Sequence, residues 1–119
     1  MVENVVVSVV EIVGDGICVS SDNGQKVYNK IEESFLNERN IILSFQDVTD
    51  ITSAFLNAAI GQLFGKFSEN MIKQRLSVKD ISEDDKKMLN RVVDRAQSYF
   101  KNPKPYIEAA NEMLGDSDE

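Results

Sequence analysis

The sequence predicts an α/β domain, with a mixed four-stranded sheet covered by helices and a C-terminal amphipathic helix after it. Three observations carry this expectation. Segments dense in β-branched residues alternate with segments whose apolar residues recur at helical spacing. The run Ile41-Ile42-Leu43-Ser44-Phe45 is short and almost wholly apolar, the pattern of a strand covered on both faces, which places it at the centre of the sheet. With 119 residues, 42% hydrophobic and 28% charged, the chain suits one ordinary globular core.

The elements follow in order. Residues 4–13, NVVVSVVEIV, read as a long strand because β-branched side chains favour the pleat. Gly14-Asp15-Gly16 is a turn and Ile17 to Ser20 a short return strand, so the chain opens with a hairpin. Ser21 to Gly24 offers caps for a first helix over Gln25 to Arg39, whose apolar set is Val27, Tyr28, Ile31 and Phe35. After the Ile41–Phe45 strand and a polar loop, Ser53 to Phe67 is a second helix. Arg75 to Val78 is expected as a strand. Ser82-Glu83-Asp84-Asp85 opens a third helix with a capping box and three acids that suit the positive end of the helix dipole. Pro103 and Pro105 break it. The domain is therefore drawn over residues 1–103, and residues 104–119 as an amphipathic segment with an acidic tail. In that segment Tyr106, Ile107, Ala110, Met113 and Leu114 share one side, fit to pack on this chain or on a second copy as a homodimer.

Charge narrows the function. Twenty acids against 13 bases give a net charge of −7, which opposes nucleic acid and anionic membrane surfaces, both of which select basic footprints. No charged leader precedes the first apolar run and no run has membrane-spanning length, so a soluble cytoplasmic protein is expected. The single Cys18 excludes an internal disulfide and lies in a strand pattern, where it reads as a small buried hydrophobe.

Catalytic chemistry finds little support. The absence of histidine removes Ser-His-Asp and Cys-His sites and the commonest metal ligand. No phosphate-cradling glycine loop is present, so no catalytic residue, cofactor or metal is expected and the chain reads as a non-enzyme. Asp47 and Asp50 flank Val48-Thr49; two carboxylates hold Mg²⁺ weakly without substrate phosphates, and both read as turn formers. Lys87, Arg91 and Arg95 form a basic stripe on the third helix, diluted by Asp84 and Asp94, and read as a solvated face. Ala54, Ala58, Gly61 and Gly65 fall in a narrow arc of the second helix at about 100° per residue. Small residues there let another backbone approach, a neighbouring helix in the first instance and a partner in the second.

The stretch Ile41 to Phe67, IILSFQDVTDITSAFLNAAIGQLFGKF, resembles the central segment of STAS domains, the sulphate transporter and anti-sigma-factor antagonist domains. There a hydrophobic strand leads through a loop ending Asp-Ser-Ser/Ala-Gly into the next helix. On that pattern Thr52 takes the Asp position, Ser53 the phosphorylatable Ser, Ala54 the next small residue and Phe55 the Gly. From the opening hairpin to Pro103 the chain more closely resembles a bacterial STAS-like family of unknown function, through its strand ending in Ser-Phe, its Ile-Thr-Ser-x-Phe loop and a Gly-containing helix.

The resemblance implies a regulatory domain that docks a protein partner, a histidine-kinase-like ATPase or anti-sigma-type regulator. Docking would fall on Asp50, Thr52, Ser53, Ala54 and Asn57, with Ser53 as the phosphorylation position. Set beside it is a different function, a sensor binding a nucleotide or metabolite at the same helix N-terminus. For Ser53 the simpler expectation is an N-cap, a role that Thr52 could also fill.

Overall fold

The computed structural model describes residues 3–101, so the expected helix over 106–114 and the acidic tail lie outside the described residues. Strand β1 spans Asn4–Ser8 and helix α1 Val9–Val13. Strand β2 is Ile17–Cys18, helix α2 Ser21–Leu36, strand β3 Asn40–Ser44 and strand β4 Asp50–Ile51. Helix α3, Ser53–Ala59, runs into a 3-10 segment over Gly61–Gly65. Helix α4 (Glu69–Arg75), strand β5 (Leu76–Lys79) and helix α5 (Glu83–Lys101) complete the set.

Two expectations are corrected here. The single mixed four-stranded sheet is instead two small parallel sheets, β1-β3-β5 and β2-β4. The opening hairpin is absent as well, because residues 4–13 do not form one strand. Ser8 takes extended angles and its side chain accepts a hydrogen bond from Glu11 N at 3.1 Å, while Gly14, at φ 93°, closes the single turn of α1 by donating to Val10 O at 2.7 Å. A helix capped at both ends interrupts the β-branched run. The chain then leads β2 alongside β4, where the Gly16 carbonyl accepts from Thr49 N at 2.9 Å. A Cβ at Gly16 would lie 2.5 Å from Asp47 O, so a side chain is excluded at this crossing.

The Ile41–Phe45 expectation fares better. Strand β3 is the central strand of the larger sheet, with Ile41 and Leu43 fully buried. Its partners alternate likewise: Val7 is buried and Val78 half-buried, whereas Val6 is 57% exposed and Ser77 exposed. One sheet face therefore packs on the helices and the other is largely open, so covering on both faces is corrected to covering on one.

The core lies between that inner face and the helices. Val27, Ile31 and Phe35 of α2 and Phe55, Leu56 and Leu63 are almost wholly buried. Phe35 meets Phe67 edge to face, with ring centroids 5.1 Å apart. Helix α2 starts earlier than Gln25 because Ser20 caps it, accepting from Asn23 N at 3.1 Å. Ser82 caps α5 as expected, its hydroxyl accepting from Asp85 N at 3.2 Å.

Candidate functional site

The start of α3 is built by Thr52. Its backbone is extended and its Oγ1 accepts from Phe55 N at 3.2 Å, which makes Thr52 the N-cap. The same oxygen donates to Val19 O at 2.7 Å and fastens the helix start to the chain leaving β2. Ser53 is therefore the first helical residue and not the cap, a correction with a simple cause. The backbone becomes helical at Ser53, so only the preceding side chain can reach back to the free amides of the first turn.

Freed from capping, Ser53 is exposed, and its hydroxyl has no hydrogen-bond partner among the described residues. Ala54 and Asn57, one turn along, are exposed too, as is Asp50 on β4. Thr52 is half-buried and occupied by its two hydrogen bonds. Phe55 points the other way. The bulky residue at the position where the STAS pattern has glycine is fully buried and anchors the helix in the core.

The small-residue arc divides between two neighbours. A Cβ on Gly24 of α2 would lie 2.8 Å from Ala58 Cβ, so the α2–α3 crossing is set by these two residues. Gly61 and Gly65 face α5: their added Cβ atoms would lie 3.6 Å from Val92 Cγ1 and 2.6 Å from the Phe100 ring. Three of the four small residues thus serve packing within the chain. Ala54 and Gly65 are exposed, Gly65 against the Phe100 ring.

Helix α5 supplies the other wall of a row of shallow clefts. Ser53, Ala54, Asn57, Val92 and Arg95 line one of about 270 Å³, and Ser53 with Met88, Arg91 and Arg95 borders a second of about 150 Å³. Arg91 and Arg95 are exposed and form no ion pair among the described residues. The basic stripe is solvated, as its sequence suggested, but its spacing also sets Arg91 and Arg95 along the same cleft as Ser53. The sequence signal for this was the Lys87-Arg91-Arg95 spacing, which cannot by itself say which helix the stripe will adjoin.

Away from this face, a polar cleft of about 330 Å³ lies at the carboxyl ends of the β1-β3-β5 strands, bordered by Ser8, Glu11, Ser44, Asp47 and Lys79. Ser44 Oγ donates to Asp80 Oδ2 at 2.8 Å. Asp47, at φ 67°, is a turn residue, as its sequence setting suggested. No cluster of three or more Cys, Asp or Glu fit to hold a metal occurs among the described residues. Cys18 is fully buried, and burial followed by the Asp15 charge pushes its thiol pKa up, away from thiolate chemistry. No helix among the described residues is long and apolar enough to cross a membrane.

A small parallel α/β core with a short capped helix after its central strand agrees with the resemblance seen in the sequence. The chain belongs to the family described as STAS-like domain of unknown function (DUF4325), which matches residues 23–86, more than half of its length. The matched span runs from α2 to the first turn of α5 and contains the whole Asp50–Asn57 segment. No curated protein and no solved structure matches the chain.

Proposed function

We propose that this STAS-like domain is a non-enzymatic regulatory module that docks a protein partner on the face formed by the start of α3 and the adjoining side of α5. One observation carries the reading. Ser53, Ala54 and Asn57 are exposed on a rigidly capped helix start, and Arg91 and Arg95 stand beside them without an ion-pair partner among the described residues. A shallow surface with small residues at its centre and cations at its rim suits a flat, acidic protein surface better than a small molecule, which is bound in an enclosing pocket. By the family resemblance the partner is a histidine-kinase-like ATPase or an anti-sigma-type regulator, and the setting is the bacterial cytoplasm. Ser53 is then the position at which phosphorylation would act, since a phosphate there would meet Arg91 and Arg95 and remove them from the partner.

Titration calorimetry of the purified chain against histidine-kinase-like ATPases encoded in the same genome tests this reading. Saturable binding by one of them, lost on Ala54→Arg, is the expected result; no binding by any of them would overturn the choice of partner.

The competing reading, a nucleotide or metabolite sensor at the same helix start, is weaker because α3 has only seven residues and the clefts beside it are open. The polar cleft at the strand carboxyl ends is the better place for a small ligand, since parallel sheets bind ligands there. A nucleotide or metabolite that raised the melting temperature would favour the sensor, because a ligand bound only by the folded state stabilises it.

A further inference from the structure

Strand β1 is an edge of the three-stranded sheet: β3 lies on one side of it, and no described residue pairs with the other side. The hydrogen bonds show which of its backbone groups are left over. The Glu3 carbonyl accepts from Asn40 N at 2.8 Å. Successive residues of a strand turn their backbone groups to opposite sides, so Glu3, Val5 and Val7 turn theirs to β3. Asn4, Val6 and Ser8 turn theirs to the free edge. That edge carries none of the devices that blunt an unpaired strand. Asn4-Val5-Val6-Val7-Ser8 has no charge, no proline and no residue of positive φ. The opposite edge differs: β5 ends on Lys79, and Asp80, at φ 58°, turns the chain directly after it.

We propose that β1 pairs antiparallel with β1 of a second copy about a two-fold axis through Val6, joining the two three-stranded sheets into one. This register sets Val6 opposite Val6 of the second copy, Val5 opposite Val7, and Asn4 opposite Ser8. The segment is self-complementary in it, as a two-fold contact requires, because every pair joins like with like. On the inner face of the sheet, Val5 and Val7 meet. On the outer face, Val6, 57% exposed in the single chain, covers its own copy between two Asn4–Ser8 pairs.

Hydrogen-bond direction agrees with this register. Opposed residues that exchange backbone bonds must both turn their groups to the edge, and Asn4, Val6 and Ser8 all do. It is also the register that overlaps the whole strand. About four backbone hydrogen bonds result: two between the Val6 residues, and one from each Ser8 N–H to the opposed Asn4 carbonyl. The Ser8 carbonyl is left to the first turn of α1, which Ser8 caps. The pairing does not rest on the docking reading, and its test contains no partner protein.

Sedimentation equilibrium on the full chain tests the pairing, and reversible dimerisation of wild type is expected. Val6→Lys, at an exposed site, should keep the wild-type circular dichroism yet weaken the dimer at least about tenfold, because the two-fold sets like charges face to face. Val6→Glu should do the same, and an equimolar mixture of the two variants should regain association as a heterodimer. Oxidation of Val6→Cys and of Asn4→Cys checks the register where a charge at Val6 disturbs the fold. Opposed Val6 Cα atoms would lie about 5.5 Å apart, within disulfide reach, and the two Asn4 Cα atoms about 14 Å apart. Val6→Cys should therefore cross-link at dimer mass at least about tenfold faster than Asn4→Cys, while the buried Cys18 stays out of the reaction. A wild type still monomeric at about 1 mM would overturn the inference. So would a dimer that Val6→Lys leaves intact, a mixture that fails to regain association, or Asn4→Cys cross-linking as fast as Val6→Cys.

Discussion

Gly24 and Ala58 meet where α2 crosses α3, so closely that a Cβ on Gly24 would lie 2.8 Å from that of Ala58 and would strike the Phe55 carbonyl oxygen. The backbone of α3 is thereby fixed against α2, and with it the placement of Ser53 and Asn57 on the outer side. Gly24→Ala should destabilise the fold. Alanine gains about 1 kcal/mol of helix propensity over glycine, but overpacking against a backbone atom that cannot rotate away costs about 1–3 kcal/mol. The net effect is a melting temperature lower by several degrees, read by circular dichroism; an unchanged or raised value would show that the crossing has room to spare.

Thr52 holds α3 at its other end. Thr52→Ala removes both the cap to Phe55 N and the tie to Val19 O, and should cost about 1–2 kcal/mol in denaturant unfolding. Thr52→Ser keeps both bonds and should retain most of that stability. Ser53→Ala should be nearly silent, since Ser53 does not cap. A loss on Ser53→Ala equal to that on Thr52→Ala would reverse this assignment.

Cys18 should be inert in the native state. Its thiol is buried and its pKa raised, first by burial and then by Asp15, so at about pH 8 an aromatic disulfide reagent should react slowly until denaturant is added. The sign for stability follows. The native state holds the thiol proton more tightly than the unfolded chain does. The stabilisation from that difference is complete below the ordinary thiol pKa and is lost as pH rises through the higher native one. Tyr28, also shifted upward by burial and by Glu32, contributes in the same direction at higher pH. Rapid native labelling of Cys18 would contradict this burial.

The reading of Ser53 as a regulatory position has its own outcome. Ser53→Asp should stay folded yet bind the ATPase at least about tenfold more weakly, about 1.4 kcal/mol, because the carboxylate would occupy Arg91 and Arg95. Ser53→Ala should bind like wild type. Equal binding by both variants would leave Ser53 no part in regulation.

Much of the fold was legible, and the misses have physical causes. The apolar run of β3 announced a central strand, and the Ser82 capping box announced α5. In residues 4–13 β-branched density pointed to a strand, yet Ser8 with Glu11 three residues on and Gly14 just beyond are the caps of one helical turn, and the caps prevailed. The helix expected to run on to Phe67 ends at Ala59, and the chain between Gly61 and Gly65 tightens into a 3-10 segment beneath α5. Helix α4 was missed although Ser68, which caps it by accepting from Met71 N, marks its start. At the candidate site the exposed residues were legible from the family pattern. The arginines beside Ser53 were not, because that juxtaposition depends on how α5 crosses α3, and sequence spacing carries no crossing angle.

The central claim is that a protein partner docks on the α3–α5 face, and affinity capture from the native host with a surface variant as control tests it most directly. Tagged wild-type chain and Ala54→Arg, matched in melting temperature, would be compared by quantitative mass spectrometry. Enrichment of a histidine-kinase-like ATPase or anti-sigma-type regulator by wild type, abolished by Ala54→Arg, is the predicted result. Equal capture by both proteins, or no such regulator on wild type, would contradict the account.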